Sequence, residues 1–230
     1  MTIYILTLFP QIFESVFQQS IVAKAQKKNL LTINFINLRD FGYGKHKQVD
    51  DKPYGGGPGM LLKVDIVVSA LESIKPKPTS VLLSASGSLY SQKVAKKLSK
   101  VNSLALICGH YEGTDARVEK YINKIISIGD FILTGGEIAA MAIVDSISRL
   151  IPQVIRYDSK EMESFSRSPL FSYGKSPSLL EYPQYTRPQN FRGAKVPKIL
   201  ITGNHEKIEK WRKEQMLLRT KKYRPDLLKA

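Results

Sequence analysis

The amino-acid sequence predicts an α/β domain, a mainly parallel sheet with helices on both faces, followed by a small helical C-terminal domain. Three observations carry that prediction. Short apolar, β-rich runs alternate with segments of helical spacing through the first two thirds of the chain, the pattern of strands joined by crossover helices. The stretch at 157–178, "YDSKEMESFSRSPLFSYGKSPS", has few aliphatic residues and many Ser, with Pro and Gly interspersed, which is linker composition. Beyond it the chain turns basic and helical: residues 159–230 carry 16 Lys and Arg against 7 Asp and Glu, whereas residues 1–158 carry 19 against 13.

Taken in order, "TIYILTL" at 2–8 is a strand that Pro10 ends, and 11–28 has helical spacing at Ile12, Val16, Ile21 and Ala25. "LLTINFINL" returns to a strand. "RDFGYGKHKQVDDKPYGGGPGM" follows, too polar and too broken by Gly and Pro for either element, and a loop of that length in a compact domain is usually functional or disordered. Residues 63–75 then suit a helix, "SVLLSA" a strand, "SQKVAKKLSK" a helix capped by Ser91 and "SLALIC" a strand. "TDARVEKYINK" reads as a helix opened by Thr114 or Asp115, "IISIG" as a strand and "GGEIAAMAIVDSISRLI" as a long apolar helix. These elements give a domain at 1–156, a flexible linker at 157–178 and a helical domain at 179–230. In the last, Ile208, Trp211, Met216 and Leu217 supply a partial apolar side.

A hydrophobic fraction of 43% suits a well-formed core, and a single cysteine excludes an internal disulfide. No apolar run reaches membrane-spanning length, because Asp130, Glu137 and Asp145 interrupt the most apolar region, and "MTIYILTLFP" has neither a basic leader nor a cleavage site. A cytoplasmic protein is expected. The net charge of +15 predicts a polyanionic partner, with nucleic acid ahead of a membrane surface.

The stretch "LALICGHYEGTD" holds Cys108 with His110 two residues on, the same face of an extended strand. Cys108 closes an apolar run, where cysteine serves as a small buried hydrophobe rather than a nucleophile. One Cys and three scattered His (His46, His110, His205) give no zinc-ligand spacing. A different pattern is more informative. "VLLSASG", "LICGHYEG" and "ISIGDFILTGGE" each run from an apolar strand into small residues, and in open parallel sheets ligands collect at the carboxyl ends of strands. Glycines there let a ligand approach the backbone. Three such ends predict one pocket, for a small ligand with an adenine-like edge and an apolar face. Neither G-x-G-x-x-G nor a P-loop motif is present in the required context.

The ordered set "KPYGGGPGM", "LICGHYEGTDARV", "SIGDFILTGGE", "SRLIP", "LLEYPQYTRP" and "GNHEKIEKWR" resembles the bacterial tRNA (guanine-N1)-methyltransferases of the SPOUT class, over nearly the whole chain. The resemblance implies a deep trefoil knot, use of S-adenosylmethionine, a Mg²⁺ requirement, an obligate homodimer and methylation of the tRNA guanosine just 3′ of the anticodon. It places the methyl donor against Leu83, Ser84, Gly109, Glu112, Gly113, Ile128, Gly129, Asp130, Phe131, Ile132, Leu133, Gly135 and Gly136. The target guanine is placed against Tyr54, Gly55, Gly56, Pro58 and Gly59. The family's catalytic base is an aspartate in an Asp-Ser-Phe context; here "EMESFS" puts Glu163 there, with Glu161 as a substitute, and Arg149 of "SRLIP" would orient it or take up charge at guanine O6. His110 stands where many relatives carry Arg, and "SASG" departs from a common Pro-Gln-Gly version. Lys207, Lys210, Arg212, Lys213, Arg219, Lys221 and Lys222 are candidate phosphate contacts. The rival readings are a knotted methyltransferase acting on ribose 2′-OH or on ribosomal RNA, and a non-catalytic RNA-binding protein.

Overall fold

Ile3, Ile5, Leu104 and Leu106 lie fully buried at alternate positions of two strands, and Leu6, Ala105 and Ile107 lie equally buried on the opposite side. Such strands, apolar on both faces, belong in the middle of a parallel sheet. The computed structural model describes residues 1–155, 163–165 and 179–228, and the chain divides into two compact units, Met1–Ile155 and Arg156–Ala230.

The first unit runs β1 (Thr2–Thr7), α1 (Glu14–Phe17), α2 (Ser20–Lys27), β2 (Thr32–Asn37), β3 (Asp50–Asp51), β4 (Leu61–Leu62), α3 (Val64–Glu72), β5 (Thr79–Leu89), α4 (Gln92–Leu98), β6 (Ser103–Cys108), β7 (Lys124–Ser127) and α5 (Glu137–Ser148). Five strands form one sheet in the order β2-β1-β6-β5-β7, every pairing parallel, so β6 lies at its centre. One face packs Ile3, Ile5, Leu104, Leu106 and Cys108 against Ala140, Ile143, Val144 and Ile147 of α5. The other packs Leu6, Ala105 and Ile107 against Ile66, Val67 and Ala70 of α3. Fully burying such a side chain stabilises by about 1.5–3 kcal/mol, which is why these period-two runs set the fold.

Several elements differ from expectation. The helix expected over 11–28 is broken into a 3₁₀ turn at Pro10–Phe13, then α1, then α2. Phe13 and Phe17 are both buried and stack at 5.4 Å, and Ser20 takes a left-handed φ of 55°, which redirects the chain so that Val22 and Ala25 also reach the core. The helix expected at 114–124 is only a 3₁₀ turn, Ala116–Tyr121, capped by Asp115, whose carboxylate accepts from Arg117 N at 2.9 Å. Asn123 then ties the start of β7 to β5 by accepting from Ser80 N at 2.8 Å. The segment read as structureless contains a turn closed between Tyr43 and Gln48, and β3 paired antiparallel to β4. β5 runs past the expected strand end: Leu83 and Ser88 both align with Ile126, so the four residues between them bulge out of the ladder. Ser91 occupies the N-cap position of α4 but its side chain makes no capping hydrogen bond.

The second unit holds β8 (Asn190–Phe191), β9 (Ala194–Lys195), a 3₁₀ turn at Lys198–Ile201 and α6 (His205–Tyr223). Asn204 caps α6, accepting from Lys207 N at 3.0 Å. The buried positions of α6 are Met216 and Thr220, not Leu217, which is exposed. Thr220 is buried because its hydroxyl is satisfied twice: it accepts from Leu180 N at 2.9 Å and donates to Met216 O at 2.7 Å. Among the described residues no helix is long and apolar enough to cross a membrane.

Candidate active site

The end of β6 meets the start of α5 beside Leu83 of β5. Gly136 N donates to Gly109 O at 2.8 Å, and His110 bridges Gly135. A methyl group on Gly136 would lie 2.7 Å from Cα of Cys108, and one on Gly109 would lie 3.3 Å from Leu83 O. Glycine at 136 is therefore what lets the helix begin against the end of the central strand. In the loop from β7, the Ser127 hydroxyl donates to Gly129 O at 3.0 Å and Phe131 N donates to the same oxygen at 3.0 Å. Gly129 has φ 158°, and a side chain there would run into the Phe131 ring. This turn leaves Phe131, Ile132 and Leu133 exposed, Ile132 by 83%.

The glycine-rich loop is joined to this cluster. Glu112 N donates to Met60 O at 3.1 Å, Leu62 N to Gly113 O at 3.0 Å and Asp115 N to Leu62 O at 3.0 Å. The Glu112 side chain packs where a side chain at Gly59 would have to sit. Tyr54, at the outer end of the loop, is fully exposed.

Two residues that sequence reasoning passed over anchor the site. Glu137, the first residue of α5, is buried, and its carboxylate accepts from the Thr7 hydroxyl at 2.8 Å. The positive end of the helix dipole favours a carboxylate there. The signal was present, since a glutamate directly after a Gly-Gly helix start is a common N-terminal pattern. Tyr111 is the other: its φ of 58° is strained for an aromatic residue, and its ring meets His110 edge-on at 4.6 Å. Burial, then Asp50, push the Tyr111 hydroxyl above its ordinary range. Burial, then the Glu137 carboxylate, push the Cys108 thiol well up, so it stays protonated and is no nucleophile. His110 Nδ1 and Thr114 Oγ1, in the loop after β6, are buried and have no hydrogen-bond partner among the described residues.

In the second unit Glu163 and Ser164 precede a cavity of about 490 Å³ lined by Ser164, Leu180, Glu181, Tyr182, Pro183, Gln184 and Arg219. Ser164 Oγ accepts from Glu181 N at 3.0 Å. Arg212 is committed internally: it pairs with Glu209 at 2.7 Å and lies over the Tyr182 ring at 4.8 Å.

The whole chain, residues 1–230, matches the family model described as tRNA (Guanine-1)-methyltransferase TrmD. The chain belongs to this family. It is 53% identical, over its full length and 88% of the relative's, to the tRNA (guanine-N(1)-)-methyltransferase of Carboxydothermus hydrogenoformans. It is 51% identical to the protein of that name from Mesomycoplasma hyopneumoniae strain 7448, covering 99% of this chain and 95% of the relative. A third, from Caldicellulosiruptor saccharolyticus, is 50% identical over all of this chain and 91% of its own length.

Of the candidate residues, the structure brings Leu83, Gly109, Gly135 and Gly136 into one cluster and attaches Glu112, Gly113 and Gly59 to it. Ser84 lies in the β5 bulge, where its hydroxyl meets that of Ser86 at 3.0 Å. Arg149 closes α5, its N–H donating to Asp145 O at 3.4 Å. Lys207, Lys210 and Arg219 are exposed on α6, and Lys213 is half-buried. Glu161 lies outside the described residues.

Proposed function

We propose that this chain transfers a methyl group from S-adenosylmethionine to N1 of the tRNA guanosine immediately 3′ of the anticodon. The observation that carries the reading is the packing of the end of β6 at Gly109 against the glycine start of α5 at Gly136, beside Leu83 of β5, in a chain of this family. The donor fits this cluster on physical grounds. The backbone is open at Gly113, where nothing lies within 4 Å of a side chain's position, and Phe131 to Leu133 expose apolar side chains in the loop after β7. Leu83, Ser84, Gly109, Glu112, Gly113, Gly135, Gly136 and the run 128–133 would hold it. When bound, the donor supplies a methyl group already activated on a sulfonium sulfur.

The chain's own task is positioning and proton removal. N1 of neutral guanine carries a proton and is a poor nucleophile, so a carboxylate must take that proton as the N1–carbon bond forms. Glu163 is placed in that role, a contribution of about 10²–10⁴ in rate. As the proton leaves, negative charge grows towards O6, where the fork of donors on Arg149 would stabilise it; arrival of the methyl group neutralises it, and the donor would depart as a neutral thioether. The loop Tyr54, Gly55, Gly56, Pro58 and Gly59 receives the flat base, with Tyr54 free to stack on it. Residues 1–156 bind the donor, 157–178 act as the linker, and 179–230 grip the tRNA through exposed cations such as Lys207, Lys210 and Arg219.

The exposed apolar residues Phe9, Ile12, Phe131, Ile132 and Ile138 on the first unit support a homodimer. The trefoil knot and a cytoplasmic location go with the family reading. Mg²⁺ goes with the family reading; among the described residues there is no group of three His, Cys, Asp or Glu side chains that could hold it. The test is steady-state methylation of unmodified tRNA by wild type, Glu163→Gln and Glu163→Asp. The proposal expects Glu163→Gln to lose about 10²–10⁴ in kcat and Glu163→Asp to recover most of it. A fully active Glu163→Gln would move the base to another group, Glu161 first.

A further inference from the structure

The second unit also carries the hairpin of β8 and β9. Asn190 pairs with Lys195 and Phe191 with Ala194, and Val196 N donates to Gln189 O at 2.9 Å to close its base. The two residues between the strands, Arg192 and Gly193, have φ of 49° and 88°. Positive φ at both central positions is the geometry of the twisted two-residue hairpin turn, and Asn190 Oδ1 secures it by accepting from Gly193 N at 3.1 Å. Asn or Gly is the residue such a position favours; an arginine there is strained. Strain kept at a solvent-facing tip points to a use for the side chain.

The surroundings say what that use is. Both strands are exposed, and nothing lies within 4 Å of where a side chain at Gly193 would start, so the tip projects into solvent. Phe191 is 61% exposed, with the Arg192 guanidinium over its ring at 5.3 Å. From Glu181 to Glu206 the sequence holds no acidic residue between those two ends, but it holds Arg187, Arg192, Lys195 and Lys198. A rigid tip with an exposed ring, a guanidinium and no compensating carboxylate is complementary to a polyanion that also offers flat apolar faces. That describes unpaired nucleotides better than a lipid headgroup, which offers charge without a stacking face.

We propose that the hairpin Asn190–Lys195 is a docking element for the RNA substrate: Phe191 stacks on an unpaired base, and Arg192 and Lys195 hold the flanking phosphates. This rests on the RNA-modifying function proposed above and adds to it a contact separate from α6.

The test is equilibrium binding of a labelled tRNA transcript to the full chain, at several salt concentrations, for wild type, Phe191→Ala, Arg192→Gly and Lys195→Gln. Glycine suits the φ of residue 192, so Arg192→Gly keeps the turn and an unchanged or higher Tm is expected. Phe191→Ala is expected to weaken binding about tenfold. Arg192→Gly and Lys195→Gln are each expected to weaken it severalfold and to lower the slope of log affinity against log salt by roughly 0.7–0.9. On a fully paired RNA stem the effect of Phe191→Ala disappears, while that of Arg192→Gly persists. Wild-type affinity and salt slope in both Phe191→Ala and Arg192→Gly would overturn the proposal, including in favour of a membrane or protein partner for this face. The proposed reaction is judged separately, since a wild type that binds tRNA and transfers no methyl sinks the reaction and leaves the hairpin to its affinities.

Discussion

Two glycine clusters in this protein look alike in sequence and differ in kind. At the junction of β6 and α5, Gly136 and Gly109 are glycines because backbone crowds the space a side chain would need: Cα of Cys108 lies 2.7 Å from that point for Gly136, and Leu83 O lies 3.3 Å from it for Gly109. In the loop between β3 and β4, Gly55 and Gly56 have nothing within 4 Å and are glycines because their φ values of 86° and 81° are left-handed. The first cluster is a packed cradle, fixed before any ligand arrives. The second is an open loop whose shape is conformational and whose space is free. A small donor held on backbone atoms suits the cradle, and a large substrate presenting a flat base suits the loop.

The comparison can be broken most directly at Gly136. Gly136→Ala should destabilise the first unit by about 1–3 kcal/mol and weaken S-adenosylmethionine binding at least tenfold, read by thermal melting and by calorimetric titration. Unchanged donor affinity in that variant would mean the cradle is not where the donor sits. Thr7→Val tests what holds the cradle's helix in place. The Glu137 carboxylate loses its buried hydroxyl donor, and a stability loss of about 1–3 kcal/mol is expected in denaturant unfolding.

Gly56→Ala sharpens the contrast from the other side. The left-handed backbone resists alanine by about 1–2 kcal/mol locally, but no atom is struck. KM for tRNA should rise and Tm fall by a few degrees, while donor affinity stays near wild type. Cys108 gives the smallest effect. Its thiol is held protonated by burial and by Glu137, so alkylation of the native protein should be slow at pH 8, measured by mass spectrometry, and Cys108→Ala should stay active. The sign also predicts a pH effect. A thiol pKa raised in the fold contributes stability that is fully present below the free thiol's value of about 8.5 and is lost as pH rises beyond it.

Much of this was legible in the sequence, for identifiable reasons. β1, β6 and the first half of β5 stood out because strands buried on both faces are rich in Ile, Leu, Val and Ala. The glycine-bearing strand ends were legible because close approach leaves glycine few substitutes. What escaped was set by contacts distant in sequence. The break at Ser20 follows from burying Phe13 and Phe17 together, and Thr220 is a core residue of α6 because Leu180, forty positions earlier, supplies the donor its hydroxyl needs. The buried Thr7–Glu137 pair joins residues 130 apart in sequence. The hairpin at 190–195 was passed over because "NFRGAK" puts an arginine where a turn motif would show Asn or Gly.

The central claim is tested most directly by identifying the methylated product. Unmodified tRNA is incubated with wild-type protein and labelled S-adenosylmethionine, digested to nucleosides and separated, beside a tRNA whose guanosine 3′ of the anticodon is replaced by another purine. The account predicts label in 1-methylguanosine alone, from the guanosine tRNA alone. Label in a 2′-O-methylated nucleoside, or equal label from both tRNAs, would contradict it.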